Sequence, residues 1–197
     1  MQSFAKDFPI VCVGGSAGGS GAYAQLLKYL PPDMGVAIVV VNHIIRTSAT
    51  LHQILSRYTT MPVELITERL PIRPNHVFII PSNRDLQVLD GEFRLKPISK
   101  PKGWPDVITQ FLRSLAQNWD GKLVAVIVSG LDADGAEALG SIKEAGGITM
   151  AQTPDTAEWS DMPESAIKTG HIDLVLSLED IAQKIVRIAQ AFPGKAT

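Results

Sequence analysis

Short aliphatic runs along this chain alternate with longer stretches whose apolar positions recur at helical spacing. The runs Ile10–Gly14, Val36–Val41, Val63–Thr67, Val77–Ile80, Leu123–Ser129, Ile148–Ala151 and Leu174–Leu176 read as strands. Several are apolar throughout rather than alternating, which suits a parallel sheet covered on both faces. Leu86–Leu89 and Glu92–Leu95 flank Asp90-Gly91, a hairpin signal, so one antiparallel pair accompanies the parallel sheet. Helices are predicted between the strands. Ser20 can cap one that runs to about Leu30, where Pro31-Pro32 stops it. Thr47 or Ser48 can start a second, with Leu51, Ile54, Leu55 and Tyr58 on one face. Pro105 suits the first turn of a third, which carries Val107, Ile108, Phe111, Leu112 and Leu115. A fourth is predicted from about Gly135 to Ala145, stopped by Gly146-Gly147. Pro163 opens a short fifth that ends before Gly170, and Ser177-Leu178-Glu179-Asp180 resembles a capping box for the last helix. The fold class expected is α/β: a single-domain, doubly wound, mostly parallel sheet with flanking helices and one antiparallel hairpin.

Composition narrows the function classes. At 197 residues the chain can form one domain with a full core, expected over 1–197 with the core at about 8–192. A net charge of −2 gives no electrostatic reason to expect nucleic acid as a partner. The longest aliphatic run, Val36 to Val41, is too short to span a bilayer, and the first residues lack a signal-peptide core. A single cysteine, Cys12, excludes an internal disulfide and reads as a buried small hydrophobe. The expected compartment is cytoplasmic.

In an open parallel sheet, ligands bind outside the carboxyl ends of the strands. Three polar features fall there. Gly14-Gly15-Ser16-Ala17-Gly18-Gly19 follows the first strand, Asn42-His43 the second, and Gly130-Leu131-Asp132-Ala133-Asp134-Gly135 the Leu123–Ser129 strand. Glycines on both sides of Ser16 permit a tight turn that lifts a hydroxyl clear of the sheet, and Gly14-x-Ser16-x-Gly18 fits a nucleophile elbow. The same glycines can cradle a phosphate at a helix N-terminus. Ser16, His43 and Asp134 together have the residue types of a nucleophile, a general base and its orienter. Each also has a simpler reading: a turn residue, a rim histidine, and a cap for the helix starting at Gly135, a job Asp132 can share.

Gly19-Ser20-Gly21-Ala22-Tyr23-Ala24 matches a dinucleotide fingerprint, but Asn42-His43 stands where a ribose-binding acid belongs. No Gly-Lys-Ser/Thr follows, which excludes a P-loop. An α/β-hydrolase order would use His171, which lies at the amino edge of the sheet, away from Ser16. His52 falls within a helix and His76 before its strand. No histidine pair or Cys–His cluster has metal-ligand spacing.

The chain resembles the catalytic domain of the chemotaxis protein-glutamate methylesterases, the CheB family. The likeness rests on Val13-Gly14-Gly15-Ser16-Ala17-Gly18-Gly19, Asn42-His43, Val126–Ala136, Ala151-Gln152 with Met162-Pro163-Glu164-Ser165-Ala166-Ile167, and Asn75–Pro81, in family order. The resemblance implies that Ser16 is the nucleophile, His43 the base and Asp134 the orienting acid. It implies hydrolysis of γ-glutamyl methyl esters on the cytoplasmic helices of chemoreceptors, releasing methanol, with glutamine deamidation in some members. It implies no cofactor and no metal, and as partners methyl-accepting chemoreceptors or similar methylated sensory proteins. A regulatory receiver or a methyltransferase domain would sit on a separate or longer chain. The departures are Ala17 where the family has a hydroxyl residue, Leu131-Asp132 where its acid loop has Met-Gly, and a different segment at Lys100–Pro105. The alternatives are a non-catalytic receptor-binding adaptor with a degenerate site and, behind it, a dinucleotide-binding module.

Overall fold

Every residue of the first apolar run is buried because each strand face meets its own layer of helices. The computed structural model describes residues 8–42, 48–100 and 102–192. Among these, seven strands form one sheet in the order β3-β4-β2-β1-β7-β8-β9, with every pairing parallel. They are β1 Ile10–Gly15, β2 Ala37–Asn42, β3 Val63–Leu65, β4 His76–Ile79, β7 Leu123–Ile127, β8 Ile148–Gln152 and β9 Leu174–Leu176. A separate antiparallel pair, β5 Arg84–Leu89 and β6 Glu92–Pro97, carries Asp90 and Gly91 at its turn with φ of 55° and 78°. Both residues left-handed is the primed turn that an Asp-Gly hairpin favours.

The helices are α1 Gly19–Lys28, α2 Ser48–Leu55, α3 Val107–Asn118, α4 Leu139–Glu144, α5 Asp161–Lys168 and α6 Leu178–Ala191. In β1, Ile10 and Cys12 join a core built with α3, α4, α5 and the hairpin. Val11 and Val13 join the opposite core, built with α1, α2 and α6. This strict alternation on a central strand yields the doubly wound α/β fold expected from the pattern.

Local boundaries differ from expectation for physical reasons. Ser20 does not cap α1: the cap position is Gly18, left-handed at φ 70°, and no side chain bonds there. The fourth helix is split into a 3-10 turn at Ala136–Ala138 and the short α4, and Gly135, left-handed at φ 89°, precedes it rather than starting it. Proline 163 lies inside the first turn of α5 rather than opening it, where its missing N–H costs nothing. The last helix is capped as expected, with Asp180 N–H donating to Ser177 Oγ at 3.1 Å.

Candidate active site

Chain order runs outward from β1 through β2 on one side, then returns through β7 on the other. The strand order therefore reverses between β1 and β7, the place where such sheets open a crevice. Ser16 follows β1 at that point, and the loop carrying Asp134 follows β7.

The turn at Ser16 is shaped by contacts rather than by flexibility. Ser16 N–H donates to Ser129 O, and Gly19 N–H donates back to Ser16 O, both at 2.9 Å. Between them Gly18 takes the left-handed conformation that an L side chain resists. Neighbours then close in. A Cβ on Gly15 would lie 2.5 Å from Tyr23 Oη and 2.8 Å from Val128 Cγ2. On Gly18 it would lie 2.5 Å from Ser129 Oγ and 2.8 Å from Glu158 Cβ. These glycines are explained by close protein packing, with Tyr23 filling the space beneath the turn. Gly19 and Gly21 of the dinucleotide-like string both lie inside α1.

Ser16 is 4% exposed. The ceiling beside it is a zipper of hydrogen bonds. Ser129 Oγ donates to Ala17 O at 2.8 Å and accepts from Trp159 N–H at 2.9 Å. Gly130 N–H donates to Trp159 O, and Met162 N–H to Gly130 O, both at 3.1 Å. Buried Gln152 accepts from Ser129 N–H at 3.1 Å and donates to Thr156 O at 3.0 Å. Leu131 and Trp159, 42% and 43% exposed, form an apolar lip there. Ser129, Gln152 and Trp159 carry no chemical signature in sequence; their role depends on strand ends that only the fold brings together.

Asp134 is 8% exposed, and its carboxylate points at a different helix from the one it precedes. Oδ2 accepts from Ile108 N–H and Oδ1 from Thr109 N–H, both at 2.9 Å. Thr109 Oγ1 in turn accepts from Gly135 N–H at 2.8 Å. The acid loop and the N-terminus of α3 thus interlock through three bonds. Asp134 is not the cap of the helix after Gly135, one of the simpler readings; it caps α3. Asp106, at the formal cap position of α3, directs its carboxylate to Lys100, Gln110 and Ser99 instead. Asp132 Oδ1 accepts from Asp134 N–H at 2.7 Å, which makes it a brace for the loop. Beneath, burial pushes the Cys12 thiol far above its ordinary range, and the nearby Asp134 charge acts in the same direction.

His43 lies outside the described residues. The register of the sheet places its predecessor: Asn42, last in β2, stands level with Gly15, the residue before Ser16. The other histidines have structural partners. His52 Nε2 bonds Val63 O at 2.7 Å, and His76 Nδ1 bonds Pro74 O at 2.8 Å. His171 packs on Gly140, away from the Ser16 turn. Among the described residues, no group of three His, Cys, Asp or Glu side chains has the arrangement to hold a metal ion. No helix among them is long and apolar enough to cross a membrane.

A family model described as CheB methylesterase matches residues 11–185. The chain belongs to the CheB methylesterase family. The CheB methylesterase catalytic domain of Thermotoga maritima superposes with a TM-score of 0.84 at 27% identity, covering 92% of this chain and 98% of that one. A Leptospira interrogans protein named as a protein-glutamate methylesterase/protein-glutamine glutaminase is 33% identical over 93% of this chain and 96% of its own length. An Anaeromyxobacter dehalogenans protein of the same name is 33% identical over 89% of this chain, which spans 52% of that protein. This CheB-family fold, and membership of a hydrolase family, agree with the resemblance read from the motifs.

Proposed function

We propose that this chain hydrolyses γ-glutamyl methyl esters on the cytoplasmic helices of methyl-accepting chemoreceptors, using Ser16, His43 and Asp134. The observation that carries the reading is the Ser16 turn. It is a glycine-framed serine at the reversal point of the sheet, beside an acid loop anchored on a helix, in a chain of the CheB family. An unperturbed imidazole has a pKa of about 6.5, so His43 takes the Ser16 Oγ proton at neutral pH. Asp134 holds the imidazole tautomer and stabilises its charged form. Ser16 Oγ bonds to the ester carbonyl carbon, and the C–OCH3 bond breaks as His43 returns the proton to the leaving oxygen, releasing methanol. Water then attacks the acyl-enzyme in the same way and restores Ser16 and a glutamate carboxylate. The Ala17 N–H and an N–H near Leu131 serve as oxyanion donors; both are backbone groups, so the side-chain departures at these positions leave them intact. Glutamine deamidation follows the same path with ammonia leaving, and the double name of the Leptospira and Anaeromyxobacter relatives supports it.

The reading treats residues 1–197 as one cytoplasmic domain, with any receiver or methyltransferase unit on another or a longer chain. Ser16→Ala tests it. Methanol release from methylated receptor should fall roughly 10⁴–10⁶-fold with the fold retained. A fluorophosphonate probe should label the parent at Ser16 and spare the variant. Near-normal turnover by Ser16→Ala would reject the assignment. Receptor binding without probe labelling would favour the adaptor.

A further inference from the structure

A second concavity lies on the hairpin side of the molecule, built by α3, β5 and β6. Its volume is about 360 Å³. Arg94 and Lys96 of β6 line it from one side and Arg113 of α3 from the other, and no carboxylate is among its lining residues. Three cations in one groove run against a chain whose net charge is −2. The floor is firm. Ser114 Oγ, 6% exposed, accepts from Val88 N–H at 2.8 Å and donates to Val88 O at 3.4 Å. Both backbone groups of Val88 are therefore occupied, so a guest cannot add there as another strand and must be read by side chains.

The walls suit a peptide. Gln110, Arg113 and Gln117 recur along one face of α3. Gln87 and Arg94 are cross-strand partners on the hairpin wall. Amide side chains offer a donor and an acceptor each, which matches a peptide backbone. The existing counter-charges stand outside the groove: Glu92 pairs with Arg94 at 2.6 Å and Glu137 with Arg113 at 2.9 Å. The exposed Arg113–Glu137 pair is worth about 0–1 kcal/mol and exchanges readily for a better-placed carboxylate, whereas the half-buried Arg94 keeps Glu92 and frames the groove. Lys96 makes no ion pair among the described residues. No aromatic ring lines the groove, so nothing offers a base a stacking platform.

We propose that this groove docks an acidic peptide segment of a partner protein, at a surface separate from the Ser16 turn. The site holds whether or not the esterase reading does, because none of its residues belongs to that machinery. The test is an NMR titration of the full chain with a blocked hexaglutamate peptide at low salt. Shifts should centre on Gln87, Arg94, Lys96 and Arg113. The Lys96→Gln/Arg113→Gln double variant should lose about tenfold or more in affinity, a change of about 1.4 kcal/mol. Lys184→Gln/Arg187→Gln removes the same charge from α6 and should stay within about twofold of the parent. Equal losses in the two double variants would reduce the effect to net charge and overturn the proposal. So would shifts centred elsewhere, or displacement of the peptide by inorganic phosphate or by an oligothymidylate of equal charge. Both double variants should retain the parent's esterase turnover on a small neutral ester.

Discussion

Replacing Asp134 should unlatch α3 as well as disturb the proposed chemistry, and the two effects can be separated. Its carboxylate accepts the N–H groups of Ile108 and Thr109 in a site where all three residues are buried. Asp134→Ala strands both donors. A buried unsatisfied donor costs about 1–3 kcal/mol, so the expected loss is about 2–4 kcal/mol once water re-enters part of the gap. Asp134→Asn keeps one acceptor oxygen but turns an NH2 toward the other N–H, for an expected loss of about 1–3 kcal/mol. Asp132→Asn should cost about 0.5 kcal/mol or less, since an amide oxygen can still accept from Asp134 N–H. Urea unfolding measures these directly, and a loss of 2 kcal/mol corresponds to a melting point lower by roughly 4–8 °C for a chain of this size. Methanol release assayed well below each melting point then isolates the catalytic part, where Asp134→Asn should still fall far below Asp132→Asn. If Asp134→Ala unfolds within about 0.5 kcal/mol of the parent, the cap is not an energetic feature of the fold and the reasoning fails.

The remaining predictions concern single contacts. Among the described residues, Tyr23 Oη is buried without a hydrogen-bond partner, so Tyr23→Phe should leave stability unchanged or raise it by up to about 1 kcal/mol; a loss in thermal melting would show that the hydroxyl is bonded. Gly130→Ala puts a methyl into Met162 Sδ and 3.0 Å from Ser16 Cβ, so it should cost about 1–3 kcal/mol and suppress probe labelling of Ser16; full labelling would contradict the packing. Burial pushes the Asp173 carboxyl up, but the Lys143 ammonium and the Thr149 N–H and hydroxyl outweigh it and hold the group below the usual carboxylate range. Its stabilisation is therefore present above the unfolded pKa of about 3.9 and lost as pH falls through the lower folded value. Asp173→Asn should be less stable than the parent by about 1 kcal/mol at neutral pH, and the gap should close in acid; a gap constant from pH 7 to pH 3 would refute the assignment.

What was legible in the sequence is what depends on neighbours along the chain. The Asp90-Gly91 hairpin, the Ser177 cap and the fully apolar β1 and β2 all express local preferences that the tertiary structure does not oppose. The position of Ser16 at a strand end was legible for the same reason. The partner of Asp134 was not. A short carboxylate before a helical stretch reads as that helix's cap, and only the fold sets the loop after β7 beside the N-terminus of α3. Gly135 belongs to the same capture, since its N–H goes to Thr109 just before the 3-10 turn begins. Ser129 and Gln152 were invisible as site builders because a serine or glutamine declares no chemistry until its hydrogen bonds are known.

The latch between Asp134 and α3 turns two amide protons into a reporter. Those of Ile108 and Thr109 are held by the proposed catalytic acid itself rather than by a carbonyl one helical turn back. Their deuterium exchange therefore requires the acid loop to let go, whereas exchange deeper in α3 requires the helix to unwind. The ratio of the two rates measures how often the acid leaves its post while the fold stays closed, in the resting protein and without any substrate.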